Sequence, residues 1–329
     1  MKRVLALGGA GFIGSYVVRE LLQHGYSVTV VDNFSKYGFL PHDVFDHPAC
    51  TLVRGDVREL RAEQFEGFDA VLCLAALIGG IKYFHKIPYR IASENSEILI
   101  TAIERTLEAA PAATFVYFSS SMVYERVDHP VTEADALNQP VPITNYGMQK
   151  LFGEFLVRGA HQERGLEYLI VRPFNAVGSG ELPATGPDGQ VEFGMAHVIP
   201  DFICKALLRQ APFQIFGDGQ QVRTFTHARD IAAAVRLMLD QGVRNEDFNI
   251  CGDCTLSMAD LARAIWAKIN PDIQFGGFEH QPVPESDVRF RVGVAHKAEQ
   301  WLGWRPRHSL NDIIDDTLGY IQPRMAAVG

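Results

Sequence analysis

The residue types best suited to acid–base work stand together at Tyr146-Gly-Met-Gln-Lys150, a phenol and an ammonium four positions apart. On a helix that spacing puts both on one face, one turn apart. A lysine held beside a tyrosine favours the phenolate and brings the phenol down from about 10 toward the range of a working general base. A Tyr-x-x-x-Lys pair is common on exposed helices. This one is singled out by Ser119-Ser120-Ser121, which closes a predicted strand and so falls at the edge of a parallel sheet, where ligands bind. A second chemical feature opens the chain. Gly8-Gly-Ala-Gly11-Phe-Ile-Gly14 follows an apolar run and leads into a helical pattern, so the backbone can turn tightly and approach a pyrophosphate at a helix N-terminus. Asp32 ends the next predicted strand, where a carboxylate accepts the ribose hydroxyls of NAD and repels the extra phosphate of NADP; Lys36, farther along the loop, softens that exclusion.

These groups need a scaffold that brings strand ends together. Short apolar runs at 4–7, 27–31, 51–53, 70–74, 114–119 and 168–171 alternate with helical patterns at 11–24, 91–110 and 146–164. That rhythm predicts an α/β fold, a Rossmann doubly wound parallel sheet covered on both faces, with a smaller C-terminal substrate-binding lobe. Leu151, Phe152, Phe155 and Leu156 form an apolar stripe on the last helix, suited to a core or a subunit interface. After Arg172 the strict alternation stops and a Gly- and Pro-rich stretch follows. The expected domains are 1–175, with 226–249 returning to it, and a lobe made of 176–225 and 250–329.

Composition narrows the partners. The 329 residues carry a formal net charge of -9 and no block of Lys or Arg, so the long-range field repels nucleic acid and anionic membrane and favours small-molecule partners. No run reaches the roughly 20 apolar residues of a membrane span. Five scattered cysteines suit free thiols in a reducing compartment, and a cytoplasmic protein is expected. Cys251-Gly-Asp-Cys254 lacks the second pair or the histidines that a zinc site requires, so no metal is expected.

In chain order, Gly8-Gly-Ala-Gly11-Phe12-Ile13-Gly14, Asp32, Gly55-Asp56-Val57-Arg58, Leu74-Ala75-Ala76, Phe118-Ser-Ser-Ser-Met-Val-Tyr124, Tyr146 to Lys150 and Arg172-Pro173-Phe-Asn175-Ala-Val-Gly178 resemble the extended short-chain dehydrogenase/reductases that act on nucleotide sugars, and they span nearly the whole chain. The resemblance implies an NAD-dependent epimerase/dehydratase of nucleotide-diphosphate sugars. It implies that Gly8, Gly11, Phe12, Ile13, Gly14, Asp32, Asn33, Asp56, Val57, Leu74, Ala75, Ala76, Asn95, Tyr146, Lys150 and Pro173 hold the cofactor. The Val123-Tyr124 pair aligns Ser120 with the family's catalytic hydroxyl. In that scheme Tyr146 takes the proton of a sugar hydroxyl while hydride passes to nicotinamide, Ser120 hydrogen-bonds the same oxygen, and Lys150 binds the nicotinamide ribose. On the substrate side the resemblance implies Lys82, Tyr83, Ser120, Ser121, Met122, Asn175, His197, Val198, Arg223 and Arg289. Asn175 stands at a phosphosugar position, His197-Val198-Ile-Pro200 near the base, and Arg223 and Arg289 are set for the diphosphate, a task suited to the guanidinium fork. A homodimer built on helices 91–110 and 146–164 is implied too.

The family runs epimerases, 4,6-dehydratases, decarboxylases and reductases from one starting step, oxidation at sugar C4. Its dehydratases carry Thr-Asp-Glu where this chain has Ser120-Ser121-Met122, so the acid and base for elimination are missing. Gly79-Gly80 is similar to GDP-mannose 3,5-epimerases, but those carry a cysteine where Met122 stands, and methionine cannot shuttle protons. C4 epimerisation through a transient 4-keto sugar needs no further acid or base, and it is the expected reaction. Lys82, Tyr83 and His85 keep open an epimerase acting at C3 or C5, or a nonstandard dehydratase or decarboxylase. The reading from another class is a non-catalytic NAD-binding sensor or scaffold, against which the intact Ser120, Tyr146 and Lys150 argue.

Overall fold

A strand that is apolar on both faces must be covered on both sides. Strand β1 (Arg3–Leu7) is one: Val4 and Ala6 enter one core, Leu5 and Leu7 the other. A computed structural model describes residues 2–36, 38, 43–80, 85–181, 191–283 and 288–326. Around β1 it assembles β2 (Ser27–Asp32), β3 (Cys50–Arg54), β4 (Ala70–Cys73), β5 (Thr114–Phe118) and β6 (Tyr168–Pro173). After β7 (Ala176–Val177), β8 (Phe213–Phe216) and β9 (Val222–His227) have formed elsewhere, β10 (Glu246–Ile250) joins the same sheet beside β6.

The order is β10-β6-β5-β4-β1-β2-β3, with every pairing parallel. The doubly wound Rossmann expectation is met. The chain builds outward from β1 through β2 to β3, then crosses back to β4 and builds the other way. Loops leaving β1 and β4 therefore diverge and open a crevice at the carboxyl edge of the sheet. Leu74 and Ser119, expected inside strands, lie just past the ends of theirs and belong to that edge.

Helix α1 (Phe12–Gln23) buries Val17, Val18, Leu21 and Leu22, the three-and-four spacing of an amphipathic face. Helices α2 (Pro88–Ala109) and α3 (Asn145–Arg164) lie side by side over the opposite face. The first of these starts earlier than the apolar periodicity indicates, because Pro88 suits an initial helical position. The second is capped by Thr144 and stopped by Gly165, whose φ of 75° only glycine adopts without strain.

Beyond the sheet, α4 (Val198–Leu207) precedes α5 (Ala228–Asp240), which packs back on α1. Then come β11 (Cys254–Ser257), α6 (Met258–Ile269), β12 (Phe278–Gln281), β13 (Phe290–Arg291), α7 (His296–Leu302) and α8 (Leu310–Ala326). Strands β7, β9, β11 and β13 make a second small sheet, and β8 pairs with β12. Phe213 centres a separate core here, with Phe202, Trp266, Phe275 and Phe278 around its ring. No described helix is long and apolar enough to cross a membrane, and the described residues contain no His/Cys/Asp/Glu group that could hold a metal.

Candidate active site

The crevice over β1 and β4 continues into a cleft of about 540 Å³ that reaches α4 and β13. At its floor the chain turns at Gly8, with a φ of 79°, where a Cβ would lie 2.5 Å from the Ala75 nitrogen. A Cβ on Gly14 would lie 2.5 Å from the Gly8 carbonyl, so α1 can approach the turn this closely only with glycine there. Gly11 caps α1 without a side chain, which leaves the first-turn N–H groups of Phe12, Ile13 and Gly14 facing the cleft mouth as donors for a diphosphate. Asp32 is aimed from above by backbone: Oδ1 accepts the Phe34 N–H at 2.8 Å and Oδ2 the Ala10 N–H at 3.1 Å. Burial raises its pKa, and these backbone donors oppose the rise. This cradle of bare backbone and one carboxylate fits a dinucleotide.

Asn33, Asp56 and Val57 form the adjoining wall, with Lys36 beside them. Asn33 donates to Asp56 at 3.0 Å, and Arg58 holds both Asp56 oxygens at 2.9 and 2.8 Å, keeping that carboxyl far below its usual range. Leu74 and Ala75 both donate to the Leu7 carbonyl, so the start of this wall is pinned to the end of β1; Ala76 and Pro173 also border the cleft. Both ends of the Asn95 amide bond Leu77, accepting the N–H at 2.7 Å and donating to the carbonyl at 3.1 Å, and Asn95 is not among the residues that line the cleft. It supports the wall from behind.

Ser120, Tyr146 and Lys150 meet at the middle of the cleft. Ser120 caps a short turn, Ser121–Tyr124, and accepts the Met122 N–H at 3.1 Å; its hydroxyl also hydrogen-bonds Tyr146. Thr144 sets the start of α3: its hydroxyl donates to Glu125 at 2.6 Å and accepts the Gly147 N–H at 3.0 Å, while Glu125 also accepts the Ile143 and Thr144 N–H groups. Lys150 donates to the Phe118 carbonyl at 2.8 Å and stands 5.7 Å from the centre of the Tyr146 ring. The phenol is not brought down as the sequence suggests. Burial pushes Tyr146 up to about 12, against the opposing hydrogen bond from Ser120 and the charge of Arg291, and burial lowers Lys150 to about 8.

The rest of the cleft holds Ser121, Met122, Asn175, His197, Val198 and Arg223. Asn175, at a φ of 35°, donates to the Thr224 carbonyl at 2.6 Å. Arg223 reaches the Val222 and Val288 carbonyls, and His197 pairs with buried Glu181. Lys82 and Tyr83 lie outside the described residues; His85 is exposed. Arg289 pairs with Asp218 at 2.8 Å on the surface, 68% exposed, and is not among the residues that line the cleft. Arg291 is, with its guanidinium on the Asn175 oxygen and against the Met122 sulfur. Sequence reasoning missed it because Arg289-Phe-Arg291 offers two arginines of equal standing. The register of β13 against β9, which sets Arg291 opposite Arg223, makes the choice.

The profile of the NAD dependent epimerase/dehydratase family matches residues 4–251. UDP-glucuronic acid decarboxylase 2 of Arabidopsis thaliana is 29% identical over 314 residues, 94% of this chain, which spans 65% of the length of that plant relative. A putative UDP-glucose 4-epimerase of Methanocaldococcus jannaschii is 28% identical over 322 residues, covering 97% of this chain and 98% of the relative. The crystal structure of UDP-glucose 4-epimerase from Thermotoga maritima with UDP-glucose is 27% identical, with a TM-score of 0.83 over 98% of this chain and 99% of that one. Decarboxylase and epimerase thus match almost equally well, while the family match runs from the first strand of the large sheet to the last. On that match the chain belongs to the NAD dependent epimerase/dehydratase family, with NAD as its cofactor.

Proposed function

We propose that the protein is an NAD-dependent nucleotide-sugar 4-epimerase that works in the cytoplasm as a homodimer. The observation that carries this reading is the meeting of Ser120, Tyr146 and Lys150 in a cleft whose adjoining turn supplies Met122 instead of an acid. Such a set can take a proton from one hydroxyl and return it, and it offers nothing to protonate a leaving group. Burial alone favours the protonated Tyr146, so it accepts the hydroxyl proton as a phenolate that the Lys150 ammonium and the charge of bound NAD must stabilise against that burial. Ser120 donates to the same oxygen, and the Lys150 ammonium steadies the phenolate. When bound, NAD would supply the hydride acceptor: the carbinol would lose hydride to it and a proton to Tyr146 to become a ketone, and the same hydride and proton would return with the hydride on the other face. The names of the relatives support a nucleotide-diphosphate sugar, held between a cofactor domain of 1–175 plus 226–249 and a lobe of 176–225 plus 250–329. The homodimer is supported by Met148, Phe152 and Phe155, exposed along α3 beside exposed Ile100 of α2.

The test is a panel of UDP-, GDP-, dTDP- and CDP-sugars deuterated at C4 and followed by NMR. Epimerisation keeps the label, accumulates no net NADH and admits no solvent deuterium; Tyr146→Phe should turn over about 10² to 10⁴ more slowly with NAD binding intact. Solvent deuterium at C3 or C5 would replace the reading with enolisation. NAD binding without turnover of any sugar would favour a sensor.

Arg291 favours a second reading. A guanidinium near the Tyr146 phenol, at the centre of the cleft, suits a sugar that carries a carboxylate. A 4-keto uronic acid is a β-keto acid and loses CO₂ without an added base, so release of CO₂ from UDP-glucuronic acid would assign decarboxylation.

A further inference from the structure

Helix α3 carries a third buried polar residue in line with the two that do chemistry. Tyr146, Lys150 and Glu154 follow one another at four-residue steps on one face, and Glu154 is 0% exposed. Its carboxylate accepts the Ser119 hydroxyl at 2.6 Å and a two-pronged donation from Arg172, Nε at 2.7 Å and Nη2 at 2.6 Å. Arg172, also 0% exposed and near the end of β6, donates to the Tyr124 hydroxyl at 3.1 Å and pairs with Asp247 of β10 at 2.6 Å. One carboxylate therefore joins α3 to the carboxyl ends of β5 and β6 and, through Arg172, to β10. Both ends of the turn that Ser120 caps are held by it: Ser119 directly, Tyr124 through Arg172.

A fully buried ion pair is weak evidence for stability, because well-packed apolar residues often replace one at no cost. Its position points to another role. We propose that Glu154, clamped by Arg172, is a positioning residue for the active centre: it fixes the Ser119–Ser120 backbone against α3 and holds a negative charge one turn behind Lys150. The proposal rests on the reading of Ser120, Tyr146 and Lys150 as the reacting set. The groups facing Lys150 are Cys73 of β4, Tyr117 of β5, and Tyr146 and Glu154 of its own helix. Burial lowers Lys150, and Cys73 and Glu154 act against the fall. The Cys73 thiol is itself pushed up to about 12 by burial, so at neutral pH the working anion is Glu154.

The test uses the full-length protein with NAD and lysines labelled with ¹³C at Cε, the Lys150 signal being assigned by its loss in Lys150→Met. In the wild type that signal should titrate near 8. In Glu154→Gln, and in the apolar pair Glu154→Leu with Arg172→Met, which guards against a fold lost to a stranded guanidinium, it should titrate at lower pH, while Glu154→Asp restores it. With whichever UDP-sugar is turned over, both Gln and Leu/Met variants should lose about 10- to 100-fold in kcat with KM little changed, as misplacement of reacting groups does. Ser119→Ala, which keeps the ion pair, should lose about tenfold in kcat and leave Lys150 titrating normally. An unmoved Lys150 titration in a folded Glu154 variant, or wild-type kcat in Ser119→Ala, overturns the proposal. The assignment of Tyr146 fails separately, if Tyr146→Phe stays active.

Discussion

Thr144 donates its hydroxyl to Glu125 at 2.6 Å, and the same oxygen accepts the N–H of Gly147, the residue after Tyr146. The first turn of α3 is thereby seated on the turn that carries Ser120. The fit is close: a Cβ on Gly147 would lie 2.6 Å from the Glu125 carboxylate and 2.8 Å from the Met122 carbonyl. Loss of such a cap costs roughly 0.5–2 kcal/mol. Thr144→Ala should lose about that much in urea unfolding and should lower kcat more than it raises KM. Unchanged stability and kcat would mean that Tyr146 is placed by other contacts.

The aim of Asp32 by two backbone N–H groups predicts cofactor choice. Calorimetry should find NAD bound at least about tenfold more tightly than NADP, a gap of ~1.4 kcal/mol, and Asp32→Ala should narrow it. Equal affinities in the wild type would remove the assignment.

Lys150 makes stability depend on pH with a definite sign. Folding lowers its pKa from 10.5 to about 8, so between those values the unfolded chain binds the extra proton and stability rises with pH. Tyr146 has the opposite sign: its pKa rises from 10.0 to about 12, and its contribution, complete below 10.0, fades above. Urea unfolding of wild type and Lys150→Met, compared from below 8 up to 10.0, should show the wild type gaining on the variant. Parallel curves would mean that folding leaves the Lys150 amine as basic as in the unfolded chain. Turnover should decline above about 8 as the ammonium is lost.

The exposed stripe of α3 predicts the oligomer. Phe152 and Phe155 are 49% and 56% exposed. Phe155→Glu would place a carboxylate in a buried apolar interface, at a cost of several kcal/mol. Light scattering should show a dimer for the wild type and the 36.5 kDa monomer for the variant. A monomeric wild type at micromolar concentration would end the proposal.

The sheet and its carboxyl edge were legible because they rest on local signals. Alternating strand and helix patterns, a glycine turn and a four-residue spacing are each written within a few positions, and these yield β1 to β6 and the Ser119-Ser120-Ser121 edge near Tyr146; the choice of Ser120 among the three came from the family resemblance. What escaped depends on distant register. Nothing near Arg291 distinguishes it from Arg289; only the pairing of β13 with β9 does. Nothing near Asn95 shows that both ends of its amide are taken by Leu77. The balance at Tyr146 escaped for a third reason, since a four-residue spacing reveals the nearby ammonium but not the depth of burial that outweighs it.

The late arrival of β10 bears on how the molecule is made. Because Glu246–Ile250 closes the edge of β6 and supplies Asp247 to the buried Arg172, a chain emerging from the ribosome as far as residue 175 holds an unclosed sheet edge and a guanidinium short of one of its partners. The sheet is finished only when the chain has been made through residue 250, after the intervening part of the lobe has appeared. Cutting the chain at the apparent end of the first βαβ series should therefore give an aggregation-prone fragment rather than a cofactor-binding module.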